Sequence, residues 1–193
     1  MGSGSGIESQ RIDHCAVAFA QSMADGVGAN SSVNRSGFAT TAYQRMRILE
    51  QYRRIAMVGL SSNPFRPSHF AAVYLLSEGY DVIPVNPRET QVLGLKSYSS
   101  ITDVPAPVEV VDIFREPDAV PPIVEEAIAA GARVVWMQLG VIHEEAARRA
   151  SRAGLEVVMD RCMKIEHARF FGGLSTIGMN TAVISARRRR RFS

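Results

Sequence analysis

The chain predicts an α/β fold: a three-layer, doubly wound parallel sheet. Three observations carry this reading. Short runs rich in Val and Ile recur along the middle of the chain. Segments of helical periodicity, 10–14 residues long, separate them. Glycines close several of these segments where a helix end needs them. Apolar strands alternating with helices point to parallel βαβ units. Right-handed crossovers then stack helices on both faces of the sheet.

The elements follow in order. Thr41 caps a helix that runs through Tyr43, Met46, Ile48, Leu49 and Tyr52, with arginines on its other side. Residues 55–60 (IAMVGL) form a first strand ending at a glycine. Residues 68–79 repeat Phe70, Val73, Tyr74 and Leu76 at helical spacing, with Gly79 at the C-terminal cap. Residues 81–85 (DVIPV) are a second strand, followed by the turn signal Asn86-Pro87. Pro84 lacks an N–H, so this strand belongs at an edge or at a weakened ladder position. Residues 108–114 (VEVVDIF) are a third strand. Residues 118–131 are a helix with Pro121 and Pro122 in its first turn and Gly131 at its end. Residues 133–139 (RVVWMQL) are a fourth strand. Residues 142–154 are a helix in which Glu144–Arg148 and Glu145–Arg149 have i,i+4 spacing. Residues 155–159 are a fifth strand.

Composition sets the limits. Of 193 residues, 46% are hydrophobic and 21% charged, enough apolar surface for one core. No apolar run approaches the roughly 18 residues of a membrane span. The net charge is +3, but arginines 187–191 supply five positive charges. Without them the balance is 17 basic to 19 acidic residues. The basic pI therefore belongs to a tail, and nucleic acid is not the expected partner of the folded part. Residues 1–39, rich in Gly, Ser, Asn and Ala, read as a disordered extension. Residues 40–172 read as the domain and 173–193 as a tail. Two distant cysteines, Cys15 and Cys162, give neither a disulfide framework nor zinc spacing. The N-terminus has no signal-peptide pattern. A reducing cytoplasm and no metal are the expectation.

In doubly wound sheets the ligand crevice lies beyond the C-terminal strand ends. After the first strand comes Gly59, then Ser61, Ser62, Asn63, Arg66 and Ser68, leading into a helix. Small residues and a helix N-terminus suit an anion, and Arg66 offers a planar fork to phosphate. The plainer reading is a turn with Ser68 as an ordinary helix cap. The dinucleotide fingerprint would need glycines at 61 and 64, where Ser61 and Pro64 stand. After the second strand, Asn86, Pro87 and Arg88 occupy the place of the acid that takes a ribose hydroxyl in NAD enzymes. An arginine there suits a phosphorylated ribose, or is simply a solvated loop residue. Both departures disfavour NAD. Phe114, after the third strand, walls a ligand or packs in the core. Gly140, after the fourth, lets a backbone approach a ligand or makes a plain turn.

The blocks IAMVGLSSNPFRPS (55–68), YDVIPVNPRETQVLG (80–94), VVDIFREPDAVPPIVEEAI (110–128), GARVVWMQLGV (131–141) and LEVVMDRCMKIEH (155–167) together carry a resemblance. The stretch from about Thr40 to Arg169 resembles the small stand-alone CoA-binding proteins. Their Rossmann-like domain is similar to the N-terminal CoA-binding domain of the succinyl-CoA synthetase α subunit. The resemblance implies coenzyme A or an acyl-CoA in the strand-end crevice. It implies that the Gly59–Ser68 loop holds the phosphates and that Asn86, Pro87 and Arg88 lie near the adenosine and its 3′-phosphate. It implies that Ile113, Phe114 and Arg115 flank the adenine or pantetheine arm, and that Gln138, Leu139 and Gly140 close the crevice.

The chain lacks the second, histidine-bearing domain that chemistry in succinyl-CoA synthetase requires. His69 and His143 have no Ser, Cys or Asp partner in sequence, so no catalytic residue is assigned. The expected function is a carrier, sensor or accessory module for CoA, working beside a separate enzyme. The alternatives are an enzyme acting on CoA thioesters or CoA disulfides through Cys162, and an NAD(P)-binding regulator. For Cys162, neighbouring Arg161 and Lys164 suggest a lowered thiol pKa and exchange with CoA. Its plainer reading is a small buried residue packing the last helix. A homodimer is expected only as the commonest oligomer.

Overall fold

The computed structural model describes residues 41–172. Residues 1–40 and 173–193, and with them the expected N-terminal extension, Cys15 and the arginine run, lie outside the described residues. The described residues form the α/β sandwich expected. Helix α1 (Ala42–Gln51) opens it. Thr41 caps it in a reciprocal box: the Thr41 Oγ1 accepts the Gln44 N–H, and Gln44 Oε1 accepts the Thr41 N–H at 2.7 Å.

Strand β1 (Arg54–Val58) leads to helix α2 (Pro67–Ser77) and strand β2 (Asp81–Val85). Gly79, at φ +81°, ends α2 and lets the Tyr80 N–H reach back to the Leu75 carbonyl. A hairpin of β3 (Gln91–Val92) and β4 (Leu95–Lys96) follows. Then come a 3-10 turn at Ile101–Asp103 and strand β5 (Val110–Ile113). Helix α3 (Val120–Ala129), strand β6 (Val134–Met137), helix α4 (Glu144–Arg152), strand β7 (Glu156–Val158) and helix α5 (Met163–Phe171) complete it.

The main sheet is parallel, in the order β2-β1-β5-β6-β7. β2 is therefore an edge strand, as Pro84 requires. The crossover from β2 to β5 contains no α-helix; the hairpin and the 3-10 turn make it instead. Alternate residues of each strand feed two cores. Ile55, Met57, Val110, Val134 and Trp136 pack under α1, α2 and α5. Ala56, Val58, Val111, Ile113, Val135 and Met137 pack under α3 and α4. Buried Glu166 of α5 ties α1 to α5: Arg45 Nε donates to its Oε2 at 2.7 Å, and Arg169 Nη1 to its Oε1 at 3.0 Å. No helix among the described residues is long and apolar enough to cross a membrane.

Candidate functional site

Chain order reverses between β1 and β5, which lie side by side although α2 and β2 separate them in sequence. The loops leaving those two strands must diverge to opposite faces, and the gap between them is the crevice of such sheets. Here it is a cleft of about 1160 Å³. Gly59 makes the close approach at its floor. Its φ is +88°, and a Cβ there would lie 2.7 Å from the Phe114 carbonyl oxygen and 2.9 Å from Arg115 Cδ. Only glycine fits this position.

The loop after β1 is shaped by its own side chains. The N–H of Ser61 goes to Ser68 Oγ at 3.3 Å, that of Asn63 to Ser61 Oγ at 3.2 Å, and that of Phe65 to Asn63 Oδ1 at 2.9 Å. Ser68 is thus not the cap of α2. Arg66 holds the N-cap position, with no side-chain cap bond, and Pro67 follows it. The buried Ser68 hydroxyl instead accepts the Ser61 N–H and keeps its own hydrogen to donate. His69 Nδ1 sits 3.0 Å from the Ser61 carbonyl, an acceptor, so Nδ1 carries the proton. Asn86 joins the second loop to the first: its Nδ2 donates to the Leu60 carbonyl at 2.9 Å, and its Oδ1 accepts the Arg88 N–H at 3.1 Å.

Most residues singled out from the sequence meet at this cleft. Gly59, Ser61, Arg66 and Ser68 line it from the first loop, and Asn86 and Arg88 from the second. Phe114 and Arg115 line it from the third, and Gln138, Leu139 and Gly140 from the fourth. Ser62, Asn63 and Pro87 belong to the same loops without lining it. Ile113 does not reach it; its side chain is wholly buried in the core under α3 and α4.

Other lining residues were not assigned to the crevice from the sequence. Phe65 and Phe70 line it and are exposed, and Glu89, Lys164 and Cys162 line it and are partly buried. Four cations, Arg66, Arg88, Arg115 and Lys164, line the cleft against two anions, Glu89 and Glu116. Arg66, Arg88 and Lys164 make no ion pair within the described residues. The lining of the cleft therefore carries an excess of positive charge.

Cys162 stands at the N-cap of α5 and is half-buried. Burial pushes its thiol pKa up, against the smaller opposing effects of the Ile165 and Lys164 N–H groups and the Lys164 charge. The thiol lowered by Arg161 and Lys164 is therefore not found. Arg161 spends one guanidinium N–H on the Asp160 carbonyl at 2.8 Å, and desolvation outweighs the rest. Beneath the cleft lies Asp112, fully buried on β5. Gln138 Nε2 donates to its Oδ1 at 2.7 Å, while Oδ2 has no partner among the described residues. Burial pushes the Asp112 pKa up to about 7. It lay in plain view within an apolar strand, and only its burial distinguishes it.

A model of the CoA-binding domain matches residues 53–168, more than half of the chain. The chain belongs to the CoA-binding domain family. Over 121 residues it is 40% identical to uncharacterized protein YneT of Bacillus subtilis (strain 168), covering 63% of this chain and 90% of that protein. A hypothetical protein from Pyrococcus horikoshii OT3 is 44% identical, with a TM-score of 0.69 over 72% of this chain and 98% of the other. The dinucleotide forming acetyl-coenzyme A synthetase 1 of Ca. Korarchaeum cryptofilum is 28% identical, with a TM-score of 0.53. The match spans 60% of this chain but only 27% of that synthetase. The Rossmann-like architecture and the kinship with acyl-CoA synthetase domains thus hold for this member of the CoA-binding family.

Proposed function

We propose that the cleft binds coenzyme A or an acyl-CoA, and that the protein serves as a carrier, sensor or accessory module without catalysis of its own. One observation supports this most. In a CoA-binding domain, four cations surround a loop that leads into a helix N-terminus at the switch point of the sheet. The phosphates lie on the Gly59–Ser68 loop, and Arg88 faces the 3′-phosphate. The pantetheine arm runs past Phe114 toward Gln138 and Cys162. Such a module works beside a separate enzyme, in a reducing cytoplasm that keeps Cys162 a free thiol.

A thermal-shift panel of CoA, acetyl-CoA, NAD, NADP and ATP tests the reading. A ligand at a hundredfold excess over Kd adds roughly 2.7 kcal/mol of apparent stability. CoA and acetyl-CoA raise the melting point and NAD does not. The reverse pattern overturns the proposal in favour of a dinucleotide regulator.

Cys162 favours a second reading, because it lines the same cleft. Its thiolate attacks the disulfide of a CoA disulfide, the S–S bond breaks, and one CoA leaves as thiolate and takes up a proton. The product is a Cys162–CoA mixed disulfide.

A further inference from the structure

We propose that Glu89 is a built-in counter-ligand of the phosphate loop, holding Ser62 through the donors a phosphate oxygen would use. The proposal rests on the CoA reading only for the identity of the anion it opposes.

The Ser62 N–H donates to Glu89 Oε1 at 3.1 Å, and the Ser62 hydroxyl donates to the same oxygen at 2.9 Å. The two residues come from different crossovers, Ser62 after β1 and Glu89 after β2. The loop N–H groups of Ser61, Asn63 and Phe65 end on neutral oxygens of the loop itself. Ser62 differs from these three: its acceptor is charged and comes from outside.

An anionic oxygen that accepts one N–H and one O–H does what a phosphate oxygen does at such a loop. Ser62 itself does not line the cleft, while Glu89, which holds its donors, does, so a phosphate claiming these donors must displace the carboxylate. If the carboxylate stays, the ligand forgoes both donors and meets a like charge in the same cleft. Glu89 also offsets part of the positive charge of Arg66 and Arg88, which line the cleft with it. The consequence is a site whose affinity is held down and whose ligand leaves readily, since weaker binding is mostly faster release. That suits a protein that hands its ligand on.

Isothermal titration of CoA, and separately of inorganic pyrophosphate, into the wild-type protein, Glu89→Gln and Glu89→Ala tests this. Urea midpoints establish that each variant is folded. The expected result is about tenfold tighter CoA binding by both variants, on the order of one removed like-charge contact. Pyrophosphate binding tightens in the same direction. Equal or weaker CoA binding by the variants overturns the proposal and makes Glu89 an acceptor for the ligand, as ribose-binding acids are. If CoA binds none of the three proteins but pyrophosphate binds the variants more tightly, the CoA reading falls and the Glu89 role stands. If neither probe binds any of them, both fall.

Discussion

Gly59 and Phe114 touch across the switch point, so that a Cβ on the glycine would lie 2.7 Å from the Phe114 carbonyl oxygen. The contact holds the loops after β1 and β5 at one spacing. It cannot be relaxed by a side-chain movement, because the opposing atom is backbone.

Gly59→Ala should therefore damage both fold and site. The positive φ and the overlap together cost about 2–4 kcal/mol. Urea unfolding measures that loss, and titration measures the accompanying loss of CoA affinity. A variant of unchanged stability would mean that the loops part freely.

Arg88→Ala should weaken CoA by about 1.5–3 kcal/mol, the range of a charge-assisted contact. Dephospho-CoA, which lacks the 3′-phosphate, should be affected much less. Titration of both ligands checks the difference, and equal losses refute the 3′-phosphate role.

Asp112 predicts a pH dependence. Its pKa is about 7 in the folded protein against an ordinary 3.8. Between these values the folded state keeps a proton that the unfolded chain has released. Its contribution is therefore full below about pH 4 and falls as pH rises through about 7. Asp112→Asn, isosteric and uncharged, removes this slope. Urea midpoints at pH 4 to 8 should show the variant gaining on the wild type as pH rises, by on the order of 4 kcal/mol at most.

Cys162 should form a CoA adduct after incubation with CoA disulfide, and Cys162→Ser should not. Because burial raises its pKa, the rate should keep climbing above pH 8–9, where an ordinary thiol levels off. Intact-mass spectrometry reads both results. Absence of a CoA-mass adduct on the wild type ends the disulfide reading.

Much of this was legible in the sequence, because the signals were local. Val- and Ile-rich runs marked all five strands of the main sheet, and Gly79 and Gly131 marked where helices end. Pro84 marked an edge. The hairpin was not legible, since its turn places Leu93 at φ +54° beside Gly94, where Asn or Asp is the usual sign. The bounds of α5 were hidden by the mixed pattern of residues 163–171. In the site, loop residues next to strand ends were found because chain order alone puts them there. Glu89, Cys162 and Asp112 gain their meaning from neighbours distant in sequence: Ser62, the cleft wall, and Gln138 across the sheet. Ile113 is the last residue of its strand, and its side chain still points into the core under α3 and α4. The plainer alternative for Ser68, an ordinary helix cap, fails because the helix opens at Pro67 with Arg66 in the N-cap position.

Pro84 has one more consequence. An exposed sheet margin is a template on which another chain can add a strand. Position 84 has no N–H to offer, its carbonyl already accepts the Tyr98 N–H, and the Tyr98 carbonyl takes the Asn86 N–H. The margin is thereby blunted at the C-terminal end of β2. Self-association by sheet extension finds little purchase at this margin.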